Sequence, residues 1–116
     1  MRQGHYFGTE VDGKWWRRYR EPGYFARGKG EYNMDEGGIH FNRMLAKETL
    51  LIGWGEVTAA RIGKWHAGQW GAGRPVLKVY FERDGLKLSS GFTLSKDGPE
   101  MERLATDISA KAAQTG

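Results

Sequence analysis

The sequence contains no cysteine, only three prolines and no long apolar run. The lack of cysteine excludes disulfide scaffolds, thiolate metal sites and cysteine nucleophiles. No stretch approaches the roughly 20 apolar residues that a membrane-spanning helix needs, and the first residues lack the apolar core of a secretory signal. We therefore expect a cytoplasmic protein without a transmembrane segment.

Glycine, by contrast, is abundant, with 18 glycines among 116 residues. Because they stand at the boundaries of apolar segments, they indicate many tight turns rather than disorder. A chain of this length matches one domain of ~100–150 residues, and folding at this size buries enough surface for one core. We expect a single domain over residues 1–116, with residues 1–13 loosely ordered.

The most regular alternation of apolar and polar residues lies in the last third of the chain. It runs over residues 75–83 and again over 86–94, on either side of Asp84-Gly85. An Asp-Gly pair tolerates the positive φ angles of a type I′ turn, so the pattern predicts a hairpin. Weaker alternation predicts further strands at residues 14–20, 24–33, 38–44, 50–53 and 56–62.

A helix is predicted at about residues 97–114. Asp97 is a suitable N-cap residue, and Pro99 and Glu100 are typical of a first helical turn. Apolar residues then recur at helical spacing, which predicts one buried face. This face consists of Met101, Leu104, Ala105, Ile108 and Ala112.

The resulting order is six or seven antiparallel strands followed by one helix, a mainly β (α+β) fold. A strongly bent sheet, or partly open barrel, leaves a corner that a terminal helix can cover. The chain resembles the pleckstrin-homology-like (PH-like) superfold, particularly bacterial PH-like domains, over roughly residues 24–112. The resemblance rests on the segments GEYNMDEGGIHFNRM, LLIGWGEVTAARIGKW and VLKVYFERDGLKLSSGFTLSKDGPEMERLATDI.

The resemblance implies a non-catalytic binding or assembly module. PH domains that bind phosphoinositides carry lysine and arginine around their first hairpin loop. The corresponding loop here, residues 34–38, contains Asp35 and Glu36 instead. An anionic head group would be repelled at that loop, so the resemblance does not carry the usual lipid site to it.

No catalytic or metal-binding pattern is recognisable. His5, His40 and His66 are scattered without the short spacing that builds a metal site, and we interpret them as solvated or hydrogen-bonded structural residues. The acidic pair at Asp35-Glu36 fits turn chemistry. We therefore predict no enzyme activity, no metal and no cofactor.

The segment at residues 61–74 is the most unusual and is the preferred binding site. It places Trp65 and Trp70 among glycines, with Lys64 and Arg74 beside them. Large aromatic side chains on a mobile loop are typical of a protein contact, so we predict binding to a protein partner or to a second copy of the chain. The alternative is that both indoles fold back onto the barrel.

A second hypothesis is that basic residues near the N-terminus bind an anionic surface, either lipid or nucleic acid. The residues concerned are Arg17, Arg18, Arg20, Arg27 and Lys29. The bland alternative is a solvated edge strand protected from pairing by its charges. Basic and acidic segments alternate along the chain and the net charge is only +4, so nucleic acid is an unlikely partner, whereas peripheral membrane contact stays open.

Overall fold

The computed structural model describes residues 2–20, 24, 27–44, 49–71 and 74–115, without the side chains at positions 2, 15, 65, 69, 70 and 115. Ten strands precede one helix in this part of the chain. The elements are β1 (Arg2–Val11), β2 (Lys14–Arg18), β3 (Gly28–Met34), β4 (Gly38–Arg43), β5 (Leu50–Gly53), β6 (Val57–Gly63), β7 (Trp65–His66), β8 (Gln69–Trp70), β9 (Val76–Arg83), β10 (Leu86–Thr93) and α1 (Gly98–Thr115).

The predicted antiparallel sheet and C-terminal helix are confirmed, and the clearest sequence signal is the best reproduced. β9 and β10 form a hairpin whose turn residues Asp84 and Gly85 have φ angles of 53° and 77°, as a type I′ turn requires. The number of strands differs from the prediction. Eight strands form the main sheet and two form a separate small hairpin.

Residues 2–13, within the segment expected to be loosely ordered, contain the strand β1 and the turn that follows it. β1 is ten residues long and pairs with β3, β10 and β2. Its hydrogen-bonding groups are therefore satisfied on both sides, which a loose segment would leave to water. Its register shifts between Tyr6 and Gly8, where an extra residue makes a β-bulge that bends the strand.

The main sheet is strongly curved. Its strand order is β5-β4-β3-β1-β10-β9-β6, with β2 paired to β1. A flat sheet would separate β5 from β6 by roughly 29 Å at ~4.8 Å per strand. The two are instead joined by a turn in which the Glu56 N–H donates to Gly53 O at 3.0 Å. Its two outer strands therefore meet at this turn.

Side chains around the β5–β6 turn link β5 to the end of β9 at this seam. Arg83, at the end of β9, donates to both Glu56 carboxylate oxygens, at 2.7 and 2.6 Å, and to Leu51 O at 2.9 Å. The Tyr24 hydroxyl also donates to Leu51 O, and Arg83 donates to that hydroxyl. This network holds the β5–β6 turn against the end of β9, and it occupies a carbonyl group of β5.

The helix covers the open side of the sheet, as its apolar stripe predicts. Met101 and Ile108 are fully buried and Ala105 nearly so, and α1 packs against β6. Together with the inner face of the sheet they enclose one hydrophobic core. Within the described residues, no helix combines the length and the apolar character required to cross a lipid bilayer.

The acidic turn between β3 and β4 has a local explanation. Asp35 Oδ1 accepts hydrogen bonds from the Gly37 and Gly38 N–H groups at 2.8 and 3.3 Å, and it lies 2.9 Å from His40 Nε2. These hydrogen bonds lower the pKa of Asp35. The carboxylate therefore shapes the turn, in agreement with the turn chemistry proposed from the sequence.

Candidate functional site

The segment over residues 61–74 is built differently from the mobile loop expected. β6 continues to Gly63, and β7 and β8 form a hairpin with Ala67 and Gly68 at its turn, at φ angles of 50° and 80°. The Gly71 N–H closes its base by donating to Lys64 O at 2.8 Å. The side chains of Trp65 and Trp70 lie outside the described residues, so their exposure stays a prediction.

The tip of this hairpin is fastened to the outer face of the main sheet. Ala67 is 3% exposed, and its N–H donates to Glu10 Oε2 at 2.7 Å. His66 is 1% exposed, and its Nε2 lies 2.7 Å from Ser89 O. Because a carbonyl oxygen can only accept, the Nε2 atom carries the hydrogen. The hairpin is therefore a fixed part of the fold.

The second nitrogen of His66 faces a carboxylate. Nδ1 lies 3.8 Å from Glu10 Oε2 and has no hydrogen-bond partner among the described residues. Burial lowers the pKa of His66, and the nearby Glu10 carboxylate offsets part of this effect. His66 is therefore a hydrogen-bonded structural histidine, the interpretation favoured from the sequence.

Acidification is expected to weaken the fold through His66. Its pKa is lowered in the folded state, so as the pH falls below about 6.5 the unfolded chain takes up a proton that the folded chain does not. The free energy of unfolding should fall by up to about 1.4 kcal/mol per pH unit in that window. Chemical denaturation from pH 7.5 to pH 5.5 measures this slope.

A matched pair of variants assigns the slope to its source. The pKa of His5 is also lowered, first by burial, so both histidines act in the same direction. We expect His66→Gln to remove more of the slope than His5→Gln, because His66 is the more deeply buried. Equal slopes in wild type and His66→Gln would contradict the assignment.

Arg27 links the hairpin to β1. Its Nε donates to Phe7 O at 2.8 Å, and its Nη2 donates to Ala67 O. Phe7 lies at the β-bulge of β1, where the ladder to β10 is interrupted, so its carbonyl group is open to a side chain. The guanidinium group is thus committed to two carbonyl groups, although its charge still acts on its neighbours.

A groove of about 550 Å³ opens beside this hairpin. We call it the cationic groove, because Lys29, Arg74 and Lys96 line it together with His5. Among the described lining residues, Glu31 is the only carboxylate. The remaining lining residues are Gln3, Gly4, Gly30, Met44, Thr93, Leu94 and Ser95.

Strand pairing explains how these side chains come together. His5 on β1 lies directly opposite Lys29 on β3. Lys96 follows the end of β10, which is the other neighbour of β1. The Arg74 N–H donates to Gly71 O at 3.1 Å in the turn that leads from the hairpin into β9. Lys29 lies on β3, Lys96 lies just after β10, and Arg74 lies just after the hairpin. Each of these three places supplies one cation to the groove.

The pKa of His5 reflects the positive potential of the groove. Burial is the first cause of its lowered pKa, and the charges of Lys29, Arg27 and Arg74 lower it further. Each of these cations disfavours another positive charge on the ring. Among the described residues, Lys29, Arg74 and Lys96 form no ion pair with a carboxylate, so their positive charge is not cancelled locally.

The basic residues of β2 extend this positive region only in part. The pKa of Arg18 is lowered by burial and then by the charge of Arg27, with Arg20 acting in the same direction. Arg18, Arg20 and Arg27 therefore form one group. Arg17 is exposed and pairs with Asp12 at 3.2 Å, so it is committed to the β1–β2 turn.

The cationic groove brings together one residue from each of the two binding hypotheses drawn from the sequence. Arg74 was proposed as a protein contact and Lys29 as an anion contact, yet both line the same groove. His5 and Lys96 were not predicted as site residues. No local motif could have identified them, because only the pairing of strands distant in sequence brings them together.

No group of three or more histidine, aspartate or glutamate side chains converges as a metal site in the described ranges. Comparison of the chain with protein-family models, curated proteins and solved structures gives no match. The functional interpretation therefore depends on the architecture and on the side chains described above.

Proposed function

We propose that this protein is a non-catalytic binding module of the PH-like type, and that it binds an anionic ligand in the cationic groove. Two features support the PH-like type. The strands form a curved antiparallel sheet in which the first strand pairs with the last, and a C-terminal helix covers the open side. The non-catalytic role follows from the resemblance and from the lack of a catalytic pattern in the sequence.

The groove carries the proposal of an anionic ligand. Three cations and a half-buried histidine surround a cavity of about 550 Å³, which is within the ~300–1,000 Å³ typical of ligand pockets. Lys29 and Arg74 both act on His5 with positive charge, so they also repel one another across the groove. An anion between them would relieve this repulsion and gain charge-assisted hydrogen bonds.

The protein-contact hypothesis built on Trp65, Trp70, Lys64 and Arg74 stands second. Its motivation was a mobile loop with large aromatic residues, but the loop is a hairpin whose tip is fixed by Glu10 and Arg27. The anion hypothesis is better supported than the protein-contact hypothesis. The fold brings Lys29, Arg74 and Lys96, which are distant in sequence, to the lining of one groove.

Binding of inositol hexasulfate tests the proposal, because its sulfate esters remain ionised across the neutral pH range. We expect Arg74→Gln and Lys96→Gln each to weaken binding about tenfold at low ionic strength. Isothermal titration calorimetry measures the affinity, and added salt should weaken it further. Lys87→Gln is the matched control, because Lys87 is exposed on β10 and does not line the groove.

The His5 ring gives a second readout of the same experiment. A bound anion would offset the charges of Lys29, Arg27 and Arg74, so the pKa of His5 should rise on binding. Proton NMR titration of the ring, with and without the probe, measures this change. No binding at low salt, or equal affinity of Arg74→Gln and Lys87→Gln, would overturn the proposal.

A further inference from the structure

A second depression, of about 840 Å³, lies next to the cationic groove. It is formed where the end of β6, the segment before β9 and the start of α1 meet, and Lys64 lines it. Arg74 and Lys96 line both depressions. The two are therefore neighbours that share these two cations as part of their walls.

The cations continue from one depression into the other. Lys29 and His5 line only the groove, Arg74 and Lys96 line both cavities, and Lys64 lines only the second depression. Lys78 also approaches this side, because its side chain lies against Gly63. The positive charge thus extends beyond what one compact anion can contact.

We infer that the two depressions form one trough for a linear polyanion of the polyphosphate class, which runs from Lys29 past Arg74 and Lys96 to Lys64. This inference rests on the proposed function and specifies its ligand. A chain of linked phosphates gains from the second depression because its later groups bind at high effective concentration once the first are in place. Each phosphate that is neutralised also releases condensed counterions.

The lining favours a polyanion recognised by charge over a nucleic acid recognised by its bases. Binding of single-stranded nucleic acid relies on aromatic side chains on which successive bases stack. Among the described residues, no phenylalanine, tyrosine or tryptophan lines either depression. The available contacts are ammonium and guanidinium groups, which suit phosphate oxygens.

Two carboxylates limit the positive charge. Glu31 lines the groove and Glu102 lines the second depression. Each repels a phosphate chain, so neutralising Glu102 should strengthen binding of a ligand that reaches the second depression. The same substitution should leave unchanged the affinity of a ligand that occupies only the groove.

Chain length is the direct test. We expect a polyphosphate of about ten groups to bind wild type at least tenfold more tightly than tripolyphosphate, with one chain per protein. Lys64→Gln should weaken the binding of the long polyphosphate about threefold to tenfold and leave the affinity for tripolyphosphate nearly unchanged. Glu102→Gln should strengthen the binding of the long polyphosphate only, and Lys87→Gln should change neither affinity.

The outcomes separate the two proposals. If Arg74→Gln weakens the binding of inositol hexasulfate but Lys64→Gln has no effect on the binding of the long polyphosphate, the groove proposal is supported and the trough proposal is wrong. If none of the anions binds, both fail. If an oligothymidylate of equal charge binds as tightly as the long polyphosphate, selection by charge alone is wrong and a nucleic acid is the better ligand.

Discussion

Replacement of Gly91 by alanine is expected to lower the free energy of unfolding by about 3 kcal/mol. A Cβ atom at this position would lie 2.5 Å from His66 Cγ and 2.6 Å from its Cδ2, closer than carbon atoms approach in proteins. The imidazole ring is fully buried between the hairpin and the sheet. It cannot move aside without lifting the hairpin.

Lifting the hairpin breaks the bonds that hold its tip. The contact of His66 with Ser89 O and the bond from the Ala67 N–H to the Glu10 carboxylate would both be lost. The carboxylate would then have to recover its hydrogen bonds from water. Urea denaturation followed by circular dichroism measures the effect.

A double-mutant cycle identifies the clash as the cause. The Gly91→Ala change should be much less harmful in a His66→Ala background, because the truncated side chain leaves room for the new methyl group. Gly98→Ala is the matched control, since its Cβ would meet nothing within 4 Å. An equal loss in both backgrounds would show that the strain lies elsewhere than at the imidazole.

Replacement of Arg83 by methionine is expected to lower the free energy of unfolding by about 2 kcal/mol. The change keeps much of the packing of the side chain over Tyr24 and Phe81 but removes its hydrogen bonds to Glu56 and Leu51 O. The seam between the outer strands would lose its central donor. Thermal and urea denaturation measure the loss.

The acid limb of the stability curve gives a second test of Arg83. Hydrogen bonding to Arg83 is the first cause that lowers the pKa of Glu56. A lowered carboxyl pKa stabilises the fold above the ordinary glutamate range and loses this effect as the pH falls through the folded-state value. The loss between about pH 5 and pH 3 should be smaller in Arg83→Met than in wild type.

Arg61→Met is the control for Arg83. Arg61 is exposed, and its guanidinium group lies 5.7 Å from the centre of the Tyr80 ring. We expect a change below about 0.5 kcal/mol and an unaltered acid limb. A comparable loss in both variants would contradict the role of the seam.

The sequence predicts those elements that are specified locally. The β9–β10 hairpin and the helix each carry a turn or cap signal together with a clean period, and both form where predicted. The same Asp-Gly rule could have identified the β1–β2 hairpin, whose turn residues Asp12 and Gly13 have φ angles of 56° and 70°. The strand at Arg2–Val11 carries no comparable local signal, because Gly4 and Gly8 interrupt its apolar pattern.

Structure explains those two glycines. A Cβ at Gly4 would lie 2.7 Å from Leu94 Cδ2, and Gly8 stands at the bulge with a φ of +106°. A single sequence displays neither the crowding of Gly4 by Leu94 nor the positive φ of Gly8. A single sequence does not display the candidate site either. Strand order and register bring its side chains together, which are those of His5, Lys29, Arg74 and Lys96.

The pairing of β1 with β10 sets the order in which the sheet can be completed during synthesis. β1 is synthesised before the other strands of this sheet, but its partner on one side, β10, is synthesised after all of them. Until residues 86–93 emerge, one row of backbone donors and acceptors on β1 has no strand to pair with. Contacts so distant in sequence slow folding, and an unpaired strand edge invites association with other chains. This sheet is therefore most vulnerable to aggregation just before the β9–β10 hairpin and α1 are synthesised.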